Sequence, residues 1–146
     1  MTGEIAGIAQ LNPAAAWAAV EAGAALIDVR TRPEWTFVGV PDLTPLGAEA
    51  ILVEWKSWPV MAPNAAFVDD VLAALDGTIP EQTLFLCRSG VRSQDAALTV
   101  QAALQARGVE TRCCNVAEGF EGDLGPDGRR GTVNGWKARG LPWRQS

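Results

Sequence analysis

Apolar positions along this chain fall into two kinds of run. Three are short and nearly unbroken, "AALIDV" (24–29), "ILVEW" (51–55) and "TLFLC" (83–87), and "VETRCCNV" (109–116), half of it polar, reads as a fourth strand. Their length and composition are those of strands, and unbroken apolar runs suit strands buried on both faces. Elsewhere the apolar residues recur at helical spacing. Phe67, Val68, Val71, Leu72 and Leu75 mark one helix, with Asn64 as its candidate cap and Gly77 as its stop. Residues 93–107 mark another, stopped by Gly108 and capped by Ser93. Asn12-Pro13 opens a helix that runs to about Ala22, and "RPEWTF" (32–37) has room for one helical turn. "GVPDLTPLG" (39–47) is rich in turn residues, "AEGFEGDLGPDGRRG" (117–131) reads as a loop, and "GWKARGLPW" (135–143) reads as a short terminal element. Strands alternating with helices predict an α/β fold, a mainly parallel central sheet with helices on both faces.

In such sheets ligands bind beyond the carboxyl ends of the strands. Cys87 stands at that end of a predicted strand and directly before a helix, in "CRSGVRS" (87–93). A loop entering a helix can curl so that its N–H groups converge on an anion, and the helix dipole adds to the effect. Gly90 relieves the steric cost of positive φ in such a curl. Arg88 and Arg92 add full positive charge, and that field favours the nucleophilic thiolate over the thiol. The loop thus combines a reactive sulfur with a cradle for negative charge. A structural cysteine needs neither the arginines nor the glycine.

Composition narrows the chemistry. The chain has 146 residues, enough for one domain spanning 1–146, with 48% hydrophobic and 20% charged residues. Its net charge of -5 gives nothing that attracts nucleic acid or an anionic membrane as partner. The two arginines are therefore a local feature, suited to a small anion. With no histidine and no tyrosine, a Ser–His or Cys–His catalytic pair is excluded and the commonest metal ligand is missing. Three cysteines, Cys87, Cys113 and Cys114, are too few for a four-thiolate zinc site. No metal and no organic cofactor is expected. No Lys or Arg precedes Arg30, and no apolar run reaches the roughly 18 residues of a membrane span. The expectation is a cytoplasmic protein with reduced thiols.

On these residues the sequence resembles the rhodanese-like family. "CRSGVRS" (87–93) is similar to its active-site loop, a cysteine followed by four residues and an arginine. "LIDVRTRPEW" (26–35) is similar to its Asp-x-Arg-x-x-x-Glu signature through Asp28, Arg30 and Glu34. "NVAEGF" (115–120) and "GWKARGLPW" (135–143) are similar to its closing strand, glycine-rich turn and C-terminal segment. The resemblance implies a single rhodanese-like domain acting as a sulfurtransferase. Cys87 would take the outer sulfur of thiosulfate or a similar small anionic donor as a persulfide and pass it to a thiol, a protein acceptor or cyanide. Arg88, Ser89, Gly90, Val91, Arg92 and Ser93 would bind the substrate, the backbone amides of 88–92 holding the persulfide and the two arginines drawing in the donor. Asp28, Arg30 and Glu34 are expected to form a structural charge network. Where many members have Gly-His-Ile-Pro-Gly-Ala, this chain reads "GVPDLTP" (39–45). The related dual-specificity phosphatases place five residues between cysteine and arginine. The shorter loop here implies sulfur and leaves dephosphorylation or arsenate reduction as a lesser alternative. A different alternative is a persulfide carrier or thiol-sensing module that serves a protein partner without turnover.

The remaining candidates read as structure. Adjacent residues in a strand face opposite sides, so Cys113 and Cys114 are expected as packing residues. "DLGPDGRRGTVN" (123–134) only partly matches a calcium loop and reads as a turn-rich loop, with Arg129 and Arg130 close to the site or solvated. Trp17 and Trp35 are expected in the core. Trp55 and Trp58 either join it or line the mouth of the pocket. An exposed Trp55/Trp58 patch favours the carrier, and a deep arginine-lined pocket favours the enzyme.

Overall fold

The structure, a computed structural model, describes residues 3–146. It begins with a tight hairpin, β1 (Gly3–Ile5) and β2 (Ile8–Leu11), turning at Ala6 and Gly7 with φ of 52° and 82°. Two successive left-handed residues make the turn whose twist matches that of the flanking strands. Next come α1 (Pro13–Glu21), β3 (Ala25–Asp28), α2 (Arg32–Phe37) and β4 (Val40–Pro41). A 3₁₀ turn (Thr44–Leu46) leads to β5 (Ile51–Leu52) and a small hairpin of β6 (Lys56–Ser57) and β7 (Ala62–Pro63). The chain continues through α3 (Phe67–Ala74), β8 (Gln82–Leu86), α4 (Val91–Ala106), β9 (Arg112–Val116), α5 (Gly135–Ala138) and β10 (Trp143–Arg144).

The main sheet has the order β1-β2-β9-β8-β3-β5, and every pairing except β1 with β2 is parallel. This is the α/β architecture expected from the alternating pattern. One face carries Ile27, Phe85 and Cys113 against Phe67 and Val71 of α3 and Ala97, Val100 and Leu104 of α4. The other carries Leu26, Leu84 and Cys114 against Ala16 and Val20 of α1 and Trp136 of α5. Helices therefore cover both faces. Each fully buried Leu, Ile, Val or Phe contributes about 1.5–3 kcal/mol through the apolar surface it removes from water. Among the described residues no helix is long and apolar enough to cross a membrane.

Local chemistry explains the element ends. Asn12 Oδ1 accepts from the Ala15 amide at 2.8 Å and caps α1. Thr31 and Glu34 form a reciprocal capping box at the start of α2, which lets so short a helix form. Other ends differ from expectation. The helix assigned to 93–107 starts at Val91, and its N-cap is Gly90, so Ser93 lies inside the first turn and caps nothing. Asn64 Oδ1 accepts from the Ala66 amide, forming a turn just ahead of α3, whose N-cap is Ala66. The strand expected over 51–55 keeps only Ile51 and Leu52. Val53 and Trp55 nevertheless donate to the Asp28 and Val29 carbonyls, so the segment follows β3 irregularly.

At the carboxyl end of β3, Asp28 and Arg30 form an ion pair with both side chains fully buried. Arg30 Nη2 donates to Asp28 Oδ2 and to the Gly39 carbonyl, each at 2.7 Å. The Arg30 guanidinium lies 4.3 Å from the centroid of the Phe120 ring. The pair thus binds β3 to the chain after α2 and to the loop after β9. Removing one partner strands the other charge, so Asp28→Asn or Arg30→Met should destabilise the protein by about 3–5 kcal/mol. Urea unfolding checks this, and a loss within measurement error for both variants would show that the pair is dispensable.

Candidate active site

Thr83, Phe85 and Cys87 alternate onto the α4 face of the sheet, and Cys87 lies one residue past the last residue of β8. Its side chain therefore points at the first turn of α4, as the sequence pattern suggested. Cys87 Sγ accepts from the Gly90 amide at 3.1 Å and lies 3.2 Å from Ser93 Oγ. Gly90 has φ of 104°. A Cβ at that position would collide with the Ala117 carbonyl oxygen, so only glycine fits.

The loop after β9 presses on the Cys87 loop from behind. Phe120 donates to the Cys87 carbonyl at 2.8 Å, and Glu121 and Gly122 donate to the Arg88 carbonyl at 3.0 and 3.1 Å. Gly119 sits against the Arg88–Ser89 peptide, where a Cβ again has no room. Residues 117–122, read from the sequence as an ordinary loop, are thus the clamp that shapes the cradle.

Behind Ser93 stands Asn115, a buried amide on β9. Its Nδ2 donates to the Gly90 carbonyl at 3.0 Å and to Gln10 Oε1 at 2.9 Å, which turns Oδ1 toward Ser93 Oγ at 2.6 Å. A carbonyl only accepts, so the contact with Gly90 fixes the orientation of the amide. The single hydroxyl proton of Ser93 faces two acceptors, the Asn115 oxygen and the Cys87 sulfur. Sequence reasoning named Ser93 but gave Asn115 no part of its own. A polar residue inside "RCCNV" was the available signal, because a buried amide requires partners.

The charges divide differently from the expected network. Asp28 and Arg30 pair with each other, whereas Glu34 pairs across the cleft with Arg92. That contact is bidentate, Nη1 to Oε1 at 2.7 Å and Nη2 to Oε2 at 2.9 Å. The shared grouping of Asp28, Arg30 and Glu34 is corrected accordingly: Asp28 pairs with Arg30, and Glu34, from α2, pairs with Arg92. Burial by itself pushes the Glu34 carboxyl up, but the Arg92 contact and charge and the Thr31 bonds outweigh it and hold it at about 2. The Arg92 guanidinium, opposed by burial, is raised by the same contact, with smaller contributions from Cys87 and Asp28. Arg92, expected to be available for the donor, is thus bound to a carboxylate. Arg88 is exposed and, among the described residues, its side chain has no hydrogen-bond or ion-pair partner.

A cavity of about 590 Å³ opens at the loop, lined by Arg88 and Arg92 together with Glu34, Trp58, Leu124 and Arg130. Ser89, Gly90 and Val91 line another cavity of about 550 Å³, with Gln10, Gln94 and Asn115. Cys87 is only 1% exposed. Trp55 packs edge-on against Phe67 with centroids 5.0 Å apart, while Trp58 is 64% exposed. Arg130 donates to the Gly122 carbonyl at 2.7 Å and faces the cavity, and Asp123 and Asn134 hydrogen-bond to each other to close that loop. No cluster of metal-ligating side chains occurs among the described residues.

The other two cysteines are placed as packing residues on opposite faces. Burial, assisted by the neighbouring Cys114, pushes the Cys113 thiol up to about 12. Burial raises Cys114 as well, against the charge of Arg112. Cys113 pairs in register with Thr83, four residues before Cys87. At about 3.3 Å per residue the two sulfurs stand roughly 13 Å apart along the sheet, too far for one to resolve a persulfide on the other.

The chain is 36% identical to uncharacterized protein RC0915 of Rickettsia conorii over 119 residues, 82% of this chain and 81% of that protein. It is 34% identical to uncharacterized protein RP600 of Rickettsia prowazekii over the same shares. Among solved structures, Rv0390 from M. tuberculosis matches with a TM-score of 0.76 and 42% identity over 94% of this chain and 97% of that one. A rhodanese-like domain protein from Staphylococcus aureus matches with a TM-score of 0.47 and 18% identity. No family model matches the chain.

The Glu34–Arg92 pair makes stability depend on acid in a definite direction. A carboxyl lowered by folding from 4.5 to about 2 contributes stability above its unfolded value and loses it as pH falls through the folded one. Unfolding free energy should drop more steeply between pH 4.5 and 2 in the native protein than in Glu34→Gln. Parallel curves for the two proteins in a urea series at graded pH would contradict this account.

Proposed function

This chain belongs to the family that includes Rv0390 of M. tuberculosis and the RC0915 and RP600 proteins of Rickettsia, and we propose that it transfers sulfane sulfur through Cys87. The observation that carries the reading is the Cys87 cradle. A buried thiol at the end of a parallel strand receives the Gly90 amide and the Ser93 hydroxyl, and its loop neighbours Arg88 and Arg92 line a cavity.

In the proposed reaction the Cys87 thiolate attacks the outer sulfur of thiosulfate or a similar anionic donor. The sulfur–sulfur bond of the donor breaks, its electron pair leaves with sulfite, and Cys87 carries the persulfide. A second thiolate then attacks the outer sulfur, forming its own persulfide and returning Cys87 to the thiolate. The Gly90 amide and Ser93 hydroxyl supply donors to the sulfur that bears the charge at each stage. Arg88 attracts the donor, while Arg92 holds the loop against Glu34. The packing of Trp55 into the core and the cavity beside the loop support an enzyme acting on small molecules over a carrier presenting a tryptophan patch.

Incubation with thiosulfate should add one sulfur, about 32 Da, to the intact protein, and Cys87→Ser should abolish the gain. Addition that survives in Cys87→Ser would move the chemistry elsewhere. Arg88→Ala should lower efficiency with thiosulfate roughly ten- to a hundredfold, because a charge-assisted contact contributes about 1.5–3 kcal/mol. Arg92→Ala should cost stability as well as activity, since it leaves Glu34 unpaired. Equal behaviour of the two arginine variants in both assays would remove the distinction drawn between them.

A further inference from the structure

The cavity beside the Cys87 loop is built for something other than a bare inorganic ion. Its volume of about 590 Å³ falls within the roughly 300–1,000 Å³ of pockets that enclose organic ligands. Val38, Trp58, Met61 and Leu124 give it an apolar wall. Trp58 and Met61 come from the β6–β7 hairpin, and Leu124 comes from the loop that follows the clamp. Trp58 is 64% and Leu124 59% exposed, although both are large apolar side chains that face the same space.

The charges point the same way. Arg88 and Arg130 face the cavity as cations, Arg92 is neutralised by Glu34, and the Glu121 carboxylate offsets one of the two remaining cations. The surplus is a single positive charge, which suits a monoanion better than a dianion.

We propose that the sulfur donor of this site is an organic monoanion: an apolar body joined to one terminal sulfane sulfur that bears or adjoins the charge. The proposal rests on the sulfur-transfer reading of Cys87 and narrows its substrate. The body lies against Trp58, Met61 and Leu124, and the charged head lies toward Arg88 and Arg130. Thiosulfonates (R–SO₂–S⁻) and organic persulfides (R–S–S⁻) share this chemistry. With a thiosulfonate the Cys87 thiolate takes the terminal sulfur, the sulfur–sulfur bond breaks, and its electron pair leaves with the sulfinate R–SO₂⁻. With a persulfide the leaving group is the thiolate R–S⁻. Neither step needs an oxidant or a reductant.

The test compares two probes of equal charge with the same reacting sulfur, benzenethiosulfonate and methanethiosulfonate. In the native protein kcat/KM should favour the aromatic probe about tenfold, from burial of the ring. Trp58→Ala should bring the ratio toward one, and Trp58→Phe should restore most of it. Trp58 is exposed at a hairpin, so neither substitution threatens folding. A native ratio near one overturns the proposal, and so does a tenfold ratio that Trp58→Ala leaves unchanged. If neither probe adds sulfur to Cys87 by intact mass, the sulfur-transfer reading fails, and calorimetry on Cys87→Ser decides the ligand class separately. Tighter binding of the aromatic than of the methyl probe, weakened by Trp58→Ala, keeps the cavity assignment, and equal binding ends it. A parallel series with an aromatic and a methyl persulfide distinguishes the two donor types, and the type with the higher kcat/KM is the assigned one.

Discussion

Everything at this site depends on how closely two loops approach. Gly90 lies against the Ala117 carbonyl and Gly119 against the Arg88–Ser89 peptide, with no space for a Cβ at either contact. That approach lets Phe120, Glu121 and Gly122 donate to the Cys87 and Arg88 carbonyls. With those carbonyls occupied from behind, the Gly90 amide faces the sulfur. The register of β8 against β9 sets the two loops side by side, so the sheet delivers the cradle as a consequence of parallel pairing.

Electrostatics at the site work through pairing. Two arginines in seven residues suggest a strongly positive loop, but Arg92 meets Glu34 with both carboxylate oxygens, and Arg30 is buried with Asp28. Glu34 serves three roles: it caps α2, anchors Arg92 and brings α2 to the mouth of the cavity. Its carboxyl is held at about 2 against the effect of its own burial, so the pair persists at any pH near neutral. The charge left to meet a ligand is therefore small and localised on Arg88 and Arg130.

What the sequence made legible was what local patterning controls. The unbroken apolar runs marked β3 and β8, Asn12 marked the start of α1, and Cys87 stands at the sheet's carboxyl edge where its place after β8 put it. The β1–β2 hairpin was missed because its turn is Ala6-Gly7, and alanine at positive φ carries no turn signature. Ser93 was read as a cap because serine often caps helices, whereas the left-handed Gly90 opens α4 one turn nearer the cysteine. The Glu34–Arg92 pair spans 58 positions and joins residues that each had a plausible local role, so no short-range pattern reveals it. The two tryptophans in "EWKSWP" are equivalent as sequence. Phe67 takes one into the core and the β6–β7 turn presents the other to the cavity.

The unforeseen hairpin also reaches the sulfur. β2 lies beside β9, which brings Gln10 next to Asn115, and Gln94 of α4 donates to the Ile5 carbonyl of β1. Gln10 Nε2 donates to Gln94 Oε1 at 2.6 Å, and Gln10 Oε1 accepts from Asn115 at 2.9 Å. Each amide in this chain donates to a backbone carbonyl, Asn115 to Gly90, Gln10 to Ile8 and Gln94 to Ile5, so all three point in one consistent direction. The orientation of Asn115 presents an oxygen to Ser93 and keeps its hydroxyl proton shared between Asn115 and Cys87. A buried polar chain of this kind is stable only while all its members are satisfied. The β1–β2 hairpin that the pattern of apolar residues did not reveal therefore completes the polar chain that ends at the sulfur.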